Sequence, residues 1–135
     1  MLAEVQIRKE ILARMVEFAR QNSGEECCGL LAGRDGGITK IYPAKNALRS
    51  ATAYEIAPDE LFRIFRAMRE AGEELLGIYH SHPSGENVPS ARDIERAYYP
   101  EAAYFILSPR GDAAQPARAF AIRDGRASEL TIKIL

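Results

Sequence analysis

The sequence predicts an α/β or α+β fold, a mixed central β-sheet flanked by helices. Three observations carry this expectation. Helical and strand periodicities alternate along the chain. Several apolar runs are short and continuous, as buried strands are. The 135 residues, 47% hydrophobic and 27% charged, suffice for a self-contained core. No repeat, low-complexity stretch or linker interrupts the chain, so a single domain over residues 1–135 is expected.

The elements follow in order. Ile7, Ile11, Met15 and Phe18 recur at helical spacing, which predicts an amphipathic helix over residues 7–21, stopped by Gly24. Glu26 to Gly33 reads as a buried strand. Arg34-Asp35-Gly36-Gly37 is turn chemistry leading to a second strand, Ile38 to Tyr42. Pro58-Asp59-Glu60 resembles a helix start, with proline in the first turn and acids at the positive end. Leu61, Ile64, Phe65 and Met68 supply its apolar face, and Gly72 ends it. Leu75 to Tyr79 reads as a central strand that Pro83 must end. A loop, a short helix from Ser90 to Ala97 and a buried strand from Ala102 to Leu107 follow. Ala117 to Ile122 and Leu130 to Ile134 alternate by two around Asp124-Gly125, a hairpin signal.

Charge and cysteine usage exclude several function classes. Eighteen Lys and Arg stand against 19 Asp and Glu, a formal net charge of −1. That balance sets up no global field for nucleic acid or an anionic membrane. No stretch approaches the length of a membrane span. The charged start from Met1 to Glu10 does not read as a signal peptide. The two cysteines, Cys27 and Cys28, are adjacent, so no disulfide framework or Cys-based zinc finger is expected. These features favour a reducing, cytoplasmic location.

The chemistry concentrates between Tyr79 and Asp93. Both histidines of the chain, His80 and His82, lie there. Residues i and i+2 of a strand point to one side, so both imidazoles can reach one point. Neutral imidazole ligates zinc, copper, iron and nickel. Asp93 is the natural third ligand, returned by the loop after Pro83. A His₂Asp set leaves one position for water, the layout of a catalytic rather than a structural site. Ser90 and Asp93 also fit a capping box, with Asp in place of Glu. A hydrolase further needs a carboxylate base near that water. Glu25, Glu26, Glu55, Glu86 and Glu95 are candidates. Glu26 stands out because it opens an apolar strand, but period-2 alternation does not decide between it and Glu25.

The spacing of His80-Ser81-His82-Pro83, Ser90 and Asp93 resembles the JAMM (MPN+) metalloprotease motif in full. Glu26-Cys27-Cys28-Gly29-Leu30-Leu31-Ala32-Gly33 resembles the family's E-x-x-G-L-x-x-G strand, and that register selects Glu26. The resemblance spans nearly the whole chain and is weakest in the C-terminal hairpin. It implies a cytidine-deaminase-like sandwich and one zinc ion per chain, held by His80, His82 and Asp93. It implies Glu26 as the acid/base and Ser90 as hydrogen-bond donor to the oxyanion. The implied reaction is hydrolysis of a peptide or isopeptide bond.

The chain is similar to the small stand-alone prokaryotic members, which are associated with ubiquitin-like sulfur carrier proteins ending in Gly-Gly. The implied substrate is such a carrier's C-terminal tail, cut after Gly-Gly and lying as an added strand on a sheet edge. No nucleic acid or membrane partner is expected, and a homodimer is compatible with the resemblance. Three other readings compete. The run from His80 to Ala97 also resembles the DNA-repair-associated RadC-type family, whose extra helical domain is absent here. An inactive, metal-bearing interaction module would not need Glu26 and Ser90. A Cys27 or Cys28 nucleophile would sit poorly in a buried strand, where both read as core. Ser81 reads as a supporting group or a plain strand residue. Tyr98, Tyr99 and Tyr104 read as groove lining or sheet packing.

Overall fold

The computed structural model describes residues 4–111 and 113–135. Met1–Ala3, included in the reading of the chain start, lie outside the described residues. The elements run β1 (Glu4–Ile7), α1 (Lys9–Gln21), β2 (Cys28–Arg34), β3 (Gly37–Ala44), α2 (Pro58–Glu70), β4 (Glu74–Ser81), α3 (Ala91–Glu95), β5 (Ala103–Leu107), β6 (Ala117–Arg123) and β7 (Arg126–Ile134). This is the mixed sheet with flanking helices that the sequence predicts.

The strands hydrogen-bond in the order β1-β3-β2-β4-β5-β6-β7, and β7 returns to pair with β1, so the sheet closes on itself. β1 makes that closure, and it is the element the periodicity hides. Ile7 fits the helical stripe of α1, yet it sits in a strand between Ile38 and Ile134. Its neighbours alternate, with Glu4 exposed and Val5 buried. Arg8 then donates its N–H to Ile38 O at 3.0 Å, and the helix starts only at Lys9. The helix ends at Gln21 as expected, but the residue that closes it differs. Asn22, not Gly24, ends α1, its backbone N–H and its side-chain Nδ2 both donating to Phe18 O.

Both hairpins turn on the expected residues. Asp35-Gly36 and Asp124-Gly125 have φ of 54° and 81°, and 52° and 75°, the left-handed pair that a two-residue hairpin needs. Alternation along the strands then sorts the core into two layers. Leu31, Tyr79 and Phe105 face α1 and meet Ile11, Met15 and Ala19. Leu30, Ile78, Tyr104 and Ile106 face α2 and meet Ile64 and Met68. Each fully buried side chain of this size contributes roughly 1.5–3 kcal/mol relative to exposure.

The register positions the site. Cys28 of β2 and Ile106 of β5 lie on either side of His80. β4 is therefore paired on both edges at that residue. The expected added strand finds no free edge there, because the sheet is continuous through the strand that carries His80. No helix among the described residues is long and apolar enough to cross a membrane.

Candidate metal centre

β4 ends at Ser81, and His82 follows with its N–H donated to Leu107 O at 2.9 Å. The extended path sends both imidazoles to the α2 side of the sheet. Their Nε2 atoms stand 3.1 Å apart. Asp93 reaches the same point from α3, its Oδ1 3.2 Å from His80 Nε2 and its Oδ2 3.0 Å from His82 Nε2. Three donor atoms thus converge, two of which cannot both be protonated in so short a contact. Tetrahedral ligands about 2.0–2.1 Å from zinc lie about 3.3 Å from one another. The two imidazole nitrogens stand near that spacing, one ligand atom from each of the three residues lies within 4.8 Å of the others, and two imidazoles with one carboxylate are a zinc-type donor set.

Asp93 combines two tasks that the sequence sets in tension. Ser90 caps α3, its Oγ accepting from Asp93 N–H at 3.1 Å while its own N–H donates to Asp93 Oδ2 at 2.9 Å. The same carboxylate faces both histidines, so capping orients it rather than consuming it. Ser90 is exposed, and its hydroxyl, as an acceptor here, retains a proton to donate.

Glu26 is buried although it precedes β2 rather than opening it. Its backbone is held at both ends, its N–H donating to Ser50 O at 2.8 Å and its carbonyl accepting from Asn46 Nδ2 at 3.1 Å. Ser81, between the two histidines, accepts Cys27 N–H on its Oγ at 2.9 Å and donates its own N–H to Cys27 O at 3.1 Å. Ser81 is therefore a supporting group, tying the Glu26 segment to the strand of the two histidines. Glu26 Oε1 is buried without a hydrogen-bond partner among the described residues. A buried carboxylate oxygen left open beside a convergent donor set suits a group that exchanges protons with water.

Two residues at the site carry no signal in the sequence. Asn46 is buried and organises the loop after β3, donating also to Ala53 O at 2.9 Å and accepting from Leu48 and Glu55 N–H groups. Tyr54, carried by that loop, stacks on His80 with ring centroids 4.6 Å apart and planes at 21°. Metal-ligating histidines ordinarily donate their second nitrogen to a carbonyl or carboxylate. His82 does so, Nδ1 to Glu86 O at 2.8 Å, but His80 Nδ1 is buried without such a partner among the described residues. Stacking on Tyr54 takes over the orientation of the His80 ring.

Electrostatics separate the carboxylates. Burial pushes the Glu26 carboxyl up from 4.5 to about 7, with Asp93 adding repulsion and His82 and Arg92 opposing. Burial also acts upward on Asp93, but hydrogen bonds from His80 and His82 outweigh it and hold the group well below its ordinary range. Burial lowers the proton affinity of His80, keeping it in the neutral form a metal needs. Burial pushes the Cys28 thiol up to about 12 and raises Cys27 as well, so neither is an activated nucleophile.

Beside the centre lies a pocket of about 210 Å³ whose walls include Tyr54, Ile56, Leu61, Tyr98, Tyr99 and Tyr104. Of the three convergent residues, Asp93 alone borders it. Tyr104 also packs in the core and accepts Tyr99 N–H on its hydroxyl at 3.0 Å, whereas Tyr98 is exposed. Groove lining and sheet packing thus coexist in this cluster.

Residues 8–123 match the family described as prokaryotic homologs of the JAB domain. The chain is 35% identical over 131 residues to a CysO-cysteine peptidase of Mycobacterium tuberculosis, covering 96% of this chain and 90% of that protein. It is 41% identical over 107 residues to a desampylase of Haloferax volcanii, covering 77% of each. A solution structure of a Desulfitobacterium hafniense protein, 32% identical, matches with a TM-score of 0.85 over 97% of this chain and 92% of that one. A JAB1/MPN domain protein from Archaeoglobus fulgidus, 18% identical, shares the fold with a TM-score of 0.64 over 96% and 98% of the two chains.

Proposed function

The chain belongs to the prokaryotic JAB-domain family of JAMM-type peptidases, and from that premise we propose that it is a zinc peptidase cleaving after the C-terminal Gly-Gly of a ubiquitin-like sulfur carrier. The bond is a peptide or an isopeptide bond to that glycine. The observation that carries this reading is the convergence of His80 Nε2, His82 Nε2 and the Asp93 carboxylate within 3.0–3.2 Å, beside the buried Glu26, whose Oε1 has no hydrogen-bond partner among the described residues. The relatives named CysO-cysteine peptidase and desampylase support the substrate class.

His80, His82 and Asp93 would hold one zinc ion. Zinc there supplies Lewis-acid polarisation and lowers the pKa of water from ~15.7 towards ~7. Glu26, with a proton affinity raised to about 7, takes the proton from the attacking water and passes it to the leaving nitrogen. Ser90 donates its hydroxyl proton to the oxyanion of the tetrahedral intermediate, a kind of contact worth ~10²–10³ in rate. The Asn46 and Ser81 contacts hold Glu26 in place while it does so.

The test is incubation with a carrier–cysteine adduct, followed by mass spectrometry. Loss of the terminal residue that stops on chelation and returns with zinc is the expected result. An adduct left intact by the zinc-loaded protein overturns the substrate class.

A further inference from the structure

The pocket beside Asp93 deepens the proposed function, and the inference drawn from it rests on that reading. The pocket borders Asp93 and neither histidine. Two glycines present no side chain to fill it. An apolar, ring-walled space of about 210 Å³ suits the side of the scissile bond that carries a side chain, which is the released residue.

Two cations border the same pocket, Arg92 in α3 and Arg96 at its C-cap, one turn apart. Arg96 is engaged by Glu55 at 3.5 Å. The Arg92 side chain is in none of the ion pairs or side-chain hydrogen bonds found among the described residues, and its charge also acts on the Glu26 carboxyl. A guanidinium bordering an apolar pocket matches a carboxylate, which it can take in a bidentate pair. The chemistry of the leaving side then discriminates. A chain-terminal amino acid carries a carboxylate two bonds from the nitrogen being released. The lysine side chain of an isopeptide has only methylenes there.

We propose that Arg92 holds the α-carboxylate of the residue released after Gly-Gly, with that residue's side chain in the aromatic pocket. The enzyme then removes a chain-terminal residue in preference to an isopeptide-linked lysine. Arg92 is a specificity residue on this account.

The experiment compares two carrier adducts with the zinc-loaded protein, one ending in cysteine with a free carboxylate and one ending in cysteine amide. Wild type is expected to prefer the acid by about tenfold in kcat/KM, mostly through KM. In R92Q that ratio falls to about one, and R92K keeps part of it. A second readout needs no turnover. E26Q, which retains the pocket, should bind the acid more tightly than the amide by calorimetry, and R92Q added to it should erase the difference. Equal handling of acid and amide by wild type overturns the proposal while leaving the peptidase reading standing, and so does a preference unchanged in R92Q. Cleavage of neither adduct overturns both.

Discussion

At the residue scale, Glu26 gives the sharpest predictions. Glu26→Gln keeps the shape and removes the base, so hydrolysis should fall by about 10²–10⁴ while zinc content stays near wild type. Elemental analysis alongside the adduct assay checks both. The substitution also has a sign in the metal-free protein. The raised pKa means that the folded state holds the proton more tightly than the unfolded chain. That contribution is fully present below about 4.5 and is lost as pH rises through about 7. Above it the wild type carries a buried, unpartnered carboxylate that glutamine does not. In chelator, E26Q should melt higher than wild type at pH 8, with the difference shrinking at pH 5. Tyr54 is tested through the metal. Tyr54→Leu frees the His80 ring and should weaken zinc binding by about 10–100-fold, measured by competition with a chromophoric chelator. Neither role of Tyr54 nor that of Asn46 was legible in the sequence. Both sit in an irregular loop, where no periodicity marks which side chain turns inward. The convergence of His80, His82 and Asp93 was legible, because strand geometry and helix capping both act over a few residues.

At the element scale, the two glycines of the strand after Glu26 explain themselves. A Cβ on Gly29 would lie 2.5 Å from the Tyr79 ring and 2.6 Å from Tyr42 O. A Cβ on Gly33 would lie 1.8 Å from Gly37 O, a backbone atom with little room to move. Gly33→Ala should therefore cost about 2–4 kcal/mol, read by chemical denaturation, since it forces β2 and β3 apart at their hairpin. Ser81→Ala acts on position more than on stability. It removes one of the two hydrogen bonds between Ser81 and the Glu26 segment, so kcat should drop with zinc affinity little changed. Elements with one period and clear punctuation, α2 with Pro58 at its start and Gly72 past its end, were legible throughout. β1 was not, because Ile7 satisfies two periodicities at once and only tertiary pairing with Ile38 and Ile134 decides between them. The C-terminus of α2 was also settled at a distance. Arg34 of β2 donates from Nε to Gly72 O at 3.2 Å, and its Nη2 donates to Ala71 O. These bonds place a cation where the helix dipole favours one.

At the scale of the whole molecule, the closed sheet unites the centre with the first and last strands. β4 and the residue after its end supply the histidines, and the segment leading into β2 supplies Glu26, from the middle of the ring, while β1 and β7 seal it. The seal is uneven. β1 meets β7 over four residue pairs but β3 over only two. The order of the strands was out of reach of the sequence, because ring closure is a long-range pairing that leaves no local trace. The continuous sheet also explains why an incoming tail cannot simply extend it beside His80. Parallel pairing of β1 with β7 has a further consequence for biosynthesis. On the ribosome the first strand emerges more than a hundred residues ahead of its mate, and one of its flanks waits uncovered until Arg126–Ile134 has cleared the exit tunnel. The central strands β2, β4 and β5 can pair before then, while the ring around them still stands open along that flank.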